Sequence, residues 1–251
     1  LFFQLVFALS VPFWFMGAAT DRQLMPGLSV SALMAVCPMA AALILVHRER
    51  RSGGGHDLLQ RSFDFRRIKA SVWLVPVLLL MPVVNILVYG LMRCIGMPVP
   101  ATQVAVGTSL WMLLAFFVGA LGEELGWSGY ILDPLQERWN ALQASLILGV
   151  AGVAWHLVPL LVAHRPLVWI AWWCLYAMAA RLLTVWLYNN TGRSVFAASL
   201  FHATLNLTYM IFPVNGSHFD MRTGGLVMAG VAVLVVVVWG PRSLTSVMTA
   251  A

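Results

Sequence analysis

Charge is what this sequence has least of. Only 10 % of its 251 residues are Asp, Glu, Lys or Arg, and just 9 residues are acidic. Hydrophobic residues make up 61 % of the chain, and the mean hydropathy is +0.87. A soluble domain is typically about 25 % charged and about 45–50 % apolar. Too little polar surface exists here to cover a water-soluble globule. Cysteine is also scarce. Cys37, Cys94 and Cys174 are an odd, scattered set in or beside apolar runs, which excludes a disulfide framework and a cysteine-based metal motif. There is no glycine period, low-complexity tract or repeat of fixed length, so collagen-like, disordered and solenoid architectures are excluded. What remains is a polytopic membrane protein.

The net charge of +6 raises the question of nucleic acid, but its distribution argues against such a partner. Seven of the fifteen basic residues fall in one stretch: Arg48, Arg50, Arg51, Arg61, Arg66, Arg67 and Lys69. That is the positive-inside pattern of a cytoplasmic loop. A span needs about 20 apolar residues, and eight segments qualify, roughly 1–19, 27–46, 71–92, 104–132, 140–163, 166–188, 194–213 and 223–240. Uniformly apolar segments argue for helices and against a β-barrel. The expectation is an all-α polytopic membrane bundle forming a single integral-membrane domain over 1–251. The chain opens with Leu rather than Met, which implies a trimmed N-terminus. Its first run lacks the basic start of a signal peptide and is broken by Pro12, so it counts as a first span. With the 47–70 loop inside, both termini are cytoplasmic, and the cations divide ten inside to four outside. Within that loop, Leu58, Leu59, Phe63 and Ile68 could form one apolar edge of an interfacial helix. A solvated basic loop is the alternative.

An ionisable side chain in mid-bilayer is costly unless paired or hydrated, and is a functional candidate by default. Glu123 and Glu124 lie in the fourth span, His156 in the fifth, Arg181 in the sixth, and His202 with Asn206 in the seventh. The other histidines, His47, His56, His164 and His218, fall at span ends or in loops and are assigned no role. Neighbours on a helix point about 100° apart, so one glutamate faces the chemistry while the other supports it. His202 and Asn206 are one turn apart on a common face. Gly122, Gly126 and Gly129 let a helix or a substrate backbone come close.

This set suits water-mediated hydrolysis. A carboxylate removed from water is a stronger base and, beside a neutral histidine, could activate water against a peptide carbonyl. His202 and the Asn206 amide could stabilise the oxyanion. No serine or cysteine has a basic partner at suggestive spacing; Cys174 and Ser199 read as packing. Two alternatives stand beside hydrolysis. Glu123, His156 and His202 could hold zinc, although the His-Glu-x-x-His motif is absent. The same polar groups could also form a network that only locks the bundle.

Three motifs carry a resemblance. Gly122-Glu-Glu-Leu-Gly-Trp-Ser-Gly-Tyr-Ile-Leu132 is similar to the Glu-Glu-x-x-x-Arg motif of the CAAX protease and bacteriocin-processing (CPBP, or Abi) family. Ala154-Trp-His-Leu-Val-Pro159 resembles its Trp-His-x-Pro motif, and His202-Ala-Thr-Leu-Asn206 its His-x-x-x-Asn motif. Order and span placement match over about 110–206. The family's Ras-converting CAAX endopeptidase is an eight-helix intramembrane glutamate protease. The resemblance therefore implies a metal-free site in which Glu123 and His156 activate water. His202 and Asn206 would form the oxyanion site, and Glu124 would support them. It also implies a peptide or membrane-protein substrate, which can be lipidated, and a place in a bacterial inner membrane.

Two positions depart from the family pattern. The motif arginine is Ser128 here, and the frequent phenylalanine four residues before the second-motif histidine is Gly152. Ser128 leaves Glu124 without its usual cation and opens the alternative of a non-catalytic relative, such as a bacteriocin-immunity or scaffold protein. Arg181 lies near the depth of Glu124 and is expected to replace the missing cation. Otherwise it would snorkel to the interface. A transporter or proton relay would use the same ionisable residues, but the paired broken helices of two pseudo-symmetric halves are missing.

Overall fold

In hydrocarbon no water is available to backbone N–H and C=O groups, so each spanning segment must satisfy its own. A computed structural model describes residues 1–20, 22–49, 53–101, 106–213 and 215–245. Arg50 and Arg51 of the basic run lie outside the described residues. The chain forms helices α1 (Phe2–Ala19), α2 (Cys37–Arg48), α3 (Gly54–Gln60), α4 (Leu74–Cys94), α5 (Val106–Gly126), α6 (Leu132–Arg138), α7 (Ala141–Val162), α8 (Leu167–Asn190), α9 (Val195–Ile211) and α10 (Met221–Trp239). The strands among the described residues are one small antiparallel hairpin, β1 (Gln23–Met25) with β2 (Leu28–Ser29). The all-α polytopic bundle is as expected.

Seven helical segments among the described residues are long and apolar enough to cross a membrane. The eighth expected span is α9, a shorter apolar helix of 17 residues, about 25 Å long at the usual rise. Three local expectations are corrected. Pro12 does not break the first helix, which runs from Phe2 to Ala19 with the proline inside it; in an apolar segment helix remains the one way to satisfy the flanking backbone groups. The segment expected at 27–46 begins with a 3-10 stretch (Val30–Val36) that leads into α2. The fourth span is not a plain α-helix over 104–132. It passes from α5 through a π-helical turn (Trp127–Ile131) into α6. Such turns insert an extra residue into the helical ladder and re-aim the side chains around it.

Helix α9 occupies the centre of the bundle, packed along α5, α4 and α8, while α8 packs in turn on α10 and α7. Two polar contacts lock α9 to α4: Asn85 donates to the Thr208 hydroxyl at 3.0 Å, and Thr204 reaches the Val77 carbonyl at 3.4 Å. The π turn is held by aromatics. Trp127 meets Phe2 of α1 edge-on at 5.5 Å and Trp155 of α7 at 5.8 Å.

Small residues bring α5 against the segment entering α2. A Cβ on Gly122 would stand 2.7 Å from the Ala35 carbonyl oxygen, and one on Gly126 would overlap the Pro38 carbonyl. Both partners are backbone and cannot turn aside. Gly119, on the same helix, has nothing within 4 Å of its missing Cβ. Gly126→Ala should therefore lower stability by about 1–3 kcal/mol, the usual cost of overpacking. Gly119→Ala should be neutral or stabilising by about 0.5–1 kcal/mol. Thermal unfolding of both variants in one detergent checks this; equal shifts would show that the α5–α2 contact is not tight.

Candidate functional site

Five of the six polar span residues meet at one place, from four helices. Helix α5 supplies Glu123, α7 supplies His156, α8 supplies Arg181, and α9 supplies His202 and Asn206; all five line one cavity of about 150 Å³. The rest of its wall is mostly apolar, including Leu148, Val153, Trp173 and Leu205. The two adjacent glutamates part as helix geometry requires. Glu123 is on the cavity wall, whereas Glu124 is fully buried behind it.

Glu124 gathers three donors. Arg181 Nη1 donates to Oε2 at 2.9 Å, the Ser128 hydroxyl donates to the same oxygen, and His202 Nδ1 donates to Oε1 at 3.0 Å. The expectation for Arg181 is met. Its guanidinium points to Glu124 rather than snorkelling to the interface. Ser128, at the position of the family's arginine, keeps contact with Glu124 but brings no charge.

The imidazoles are oriented by what their Nδ1 atoms touch. His156 Nδ1 lies 2.8 Å from the Gly152 carbonyl oxygen. A carbonyl only accepts, so Nδ1 carries the hydrogen and the lone pair of the neutral ring is on Nε2. Edge-on contact with Trp155 at 4.7 Å and packing on Trp173 at 5.3 Å fix the ring's tilt. His202 likewise spends Nδ1 on Glu124 and has Nε2 to offer the cavity. Gly152 also lines the cavity, and a Cβ there would meet nothing within 4 Å. The second departure from the motif therefore leaves open space beside His156. Among the described residues, no group of three or more His, Cys, Asp or Glu side chains is placed to hold a metal ion.

Two residues outside the motifs prove central to positioning the helices. Asp64, in the basic 47–70 loop, accepts from the Ser194 hydroxyl at 2.7 Å and from the backbone N–H groups of Val195 and Phe196 at 3.2 and 3.1 Å. It thus places a negative charge on the open N-terminus of α9, where unpaired N–H groups and the helix dipole favour an anion. Arg61 donates to the Gly129 carbonyl at 2.6 Å, the Tyr188 hydroxyl at 2.7 Å and the Arg193 carbonyl at 2.8 Å. The loop therefore clamps the π turn that follows α5, the end of α8 and the start of α9. It is neither a solvated basic loop nor a helix with one apolar edge. Leu58 is buried, whereas Leu59 and Phe63 are exposed, because α3 gives way at Arg61 to a 3-10 stretch with a kink at Phe63. A carboxylate set between Arg61 and the Arg66–Arg67 pair was the available signal for Asp64.

Comparison with known proteins agrees with the motifs. Residues 105–208 match the family described as type II CAAX prenyl endopeptidase Rce1-like. The chain is also 25 % identical over 254 residues to CAAX prenyl protease 2 of Methanococcus maripaludis, an alignment covering 93 % of this chain and 92 % of the relative.

The Asp64 contacts have a measurable consequence. Asp64→Ala should lower stability by about 1–2 kcal/mol, the range for losing a helix-capping acceptor. Asp64→Asn, which keeps an acceptor oxygen, should lose less. Thermal melts of the two variants decide it, and equal losses would assign the effect to charge alone.

Proposed function

We propose that this integral membrane protein, whose motif core is Rce1-like, is an intramembrane endopeptidase. It would cleave a peptide bond near the end of a membrane-associated substrate. The name of its archaeal relative and the largely apolar cavity wall favour a prenylated or otherwise lipidated tail. One observation carries the proposal. Of two adjacent carboxylates, Glu124 is consumed by Arg181, Ser128 and His202, while Glu123 lines the cavity together with His156.

In the reaction, a water in the cavity gives its proton to Glu123 while the Nε2 lone pair of His156 orients it. The water oxygen bonds to the scissile carbonyl carbon, and the carbonyl oxygen becomes an oxyanion. Two enclosed carboxylates call for two cations. Arg181 is one, and His202, bonded to Glu124, is the other. A charged His202 donates through Nε2 to the oxyanion, beside the Asn206 amide. Collapse of the intermediate breaks the C–N bond, and Glu123 returns its proton to the leaving amine.

A non-catalytic immunity or scaffold protein would draw its support from Ser128. That support weakens because Arg181 supplies the cation from another helix. The basic clamp is assigned to the cytoplasmic side, and with it both termini, by the distribution of Arg and Lys.

Glu123→Gln is nearly isosteric but cannot take up the proton. Turnover of a quenched peptide should fall at least about 10²-fold with the fold retained. Full activity there, with loss in Glu124→Gln, would exchange the two carboxylates. Asn206→Ala should lower kcat by roughly 10²–10³ with little change in KM; a change in KM alone would make Asn206 a substrate-binding group. Chelator-treated protein verified free of metal should stay active. Stoichiometric zinc whose removal abolishes activity and whose return restores it would instead make Glu123, His156 and His202 ligands.

A further inference from the structure

Glu124 has no access to water, and each of its oxygens is committed. Arg181 and Ser128 share Oε2, which leaves Oε1 as the acceptor for His202. The direction in which His202 presents Nε2 to the cavity therefore depends on where the Glu124 carboxylate sits and on its remaining ionised. Ser128 can orient the carboxylate but cannot compensate its charge. Arg181, with its side chain 12 % exposed, can. A buried carboxylate that loses its cation neutralises or destabilises its surroundings. A neutral carboxyl would be a poorer acceptor for the imidazole.

We propose that Arg181 is a positioning residue for hydrolysis, acting through Glu124 to hold His202 with Nδ1–H on the carboxylate and Nε2 towards the substrate. This rests on the endopeptidase function proposed above. The charged and titratable groups facing His202 are Glu123 and Glu124 from α5, His156 from α7 and Arg181 from α8. Arg181 and Glu124 carry charges that no proton transfer in the reaction alters, and Arg181 is the cation bonded to that carboxylate. Arg181 lines the cavity, but its guanidinium hydrogen-bonds Glu124, so its effect falls on kcat rather than on KM.

The test uses the full chain in lipid nanodiscs and a quenched peptide substrate. Arg181→Met should lower kcat by about 10- to 10²-fold, the scale seen when a group orienting a metal-bound histidine is lost, with KM changed by less than about twofold. Arg181→Lys should recover part of the loss, since a point charge replaces a planar fork. Ser128→Arg in the Arg181→Met background should recover part as well, by returning a cation to Oε2. The deciding variant is Arg181→Met/Glu124→Gln, which removes both charges. Its melting temperature should return towards that of the parent while kcat stays low. A purely structural ion pair would restore kcat together with stability, and that result overturns the proposal. So does a folded Arg181→Met protein with undiminished kcat. If the parent cleaves no peptide, the endopeptidase assignment falls. The ¹⁵N and ¹H resonances of the His202 imidazole then decide this proposal alone. A shift of the Nδ1–H signal in Arg181→Met supports it, and an unchanged signal overturns it.

Discussion

A carboxylate with no water around it must find every donor within the protein, and Glu124 finds three, from three directions. One comes from its own helix at Ser128, one from α8 at Arg181 and one from α9 at His202. Removing a single partner from a buried, hydrogen-bonded charge is costly because the remaining group is left uncompensated. The arrangement therefore ties three helices to one point. The neighbouring Glu123 stays outside this set of hydrogen bonds and faces the cavity. The division of labour between two adjacent residues thus follows from a helical rotation of about 100° and from the satisfaction of one of them.

The rest of the bundle holds those three helices in register. Helix α9, the shortest of the span-like helices, is secured at both ends. Asp64 caps its N-terminus, and Asn85 bonds Thr208 one turn before its end. Helix α5 is drawn in by Gly122 and Gly126, where backbone meets backbone. Arg61 bridges the π turn after α5, the end of α8 and the turn that enters α9. In hydrocarbon, apolar surface gives little driving force for association, so close packing and hydrogen bonds must supply it. The polar residues outside the cavity are accordingly concentrated where helices have to be aligned.

The departure at the first motif shows how such a network tolerates change. What Glu124 needs is a cation within reach of Oε2, and chain position does not matter to that need. Ser128 keeps a hydrogen bond one turn along the helix, and Arg181 delivers the charge from a residue 57 positions away. The departure at Gly152 acts differently. It alters no hydrogen bond to His156, which uses the backbone carbonyl, and instead leaves unfilled space on the cavity wall.

By itself the sequence determined that the protein is a helical membrane bundle, because a chain so poor in charge cannot face water and hydrocarbon admits few backbone forms. It also marked the polar span residues, because an ionisable group at that depth is too costly to be incidental, and their order carried the family likeness. The pairing of Arg181 with Glu124 could be anticipated from depth and charge alone. Only the tertiary structure decided which glutamate faces the cavity, that the fourth span turns through a π-helical segment, and that the 47–70 loop is a clamp. Asp64 and Ser194 are 130 residues apart, and His202 and Glu124 are 78 apart. Contacts of that separation depend on how helices rotate and cross, and no local period or composition encodes either.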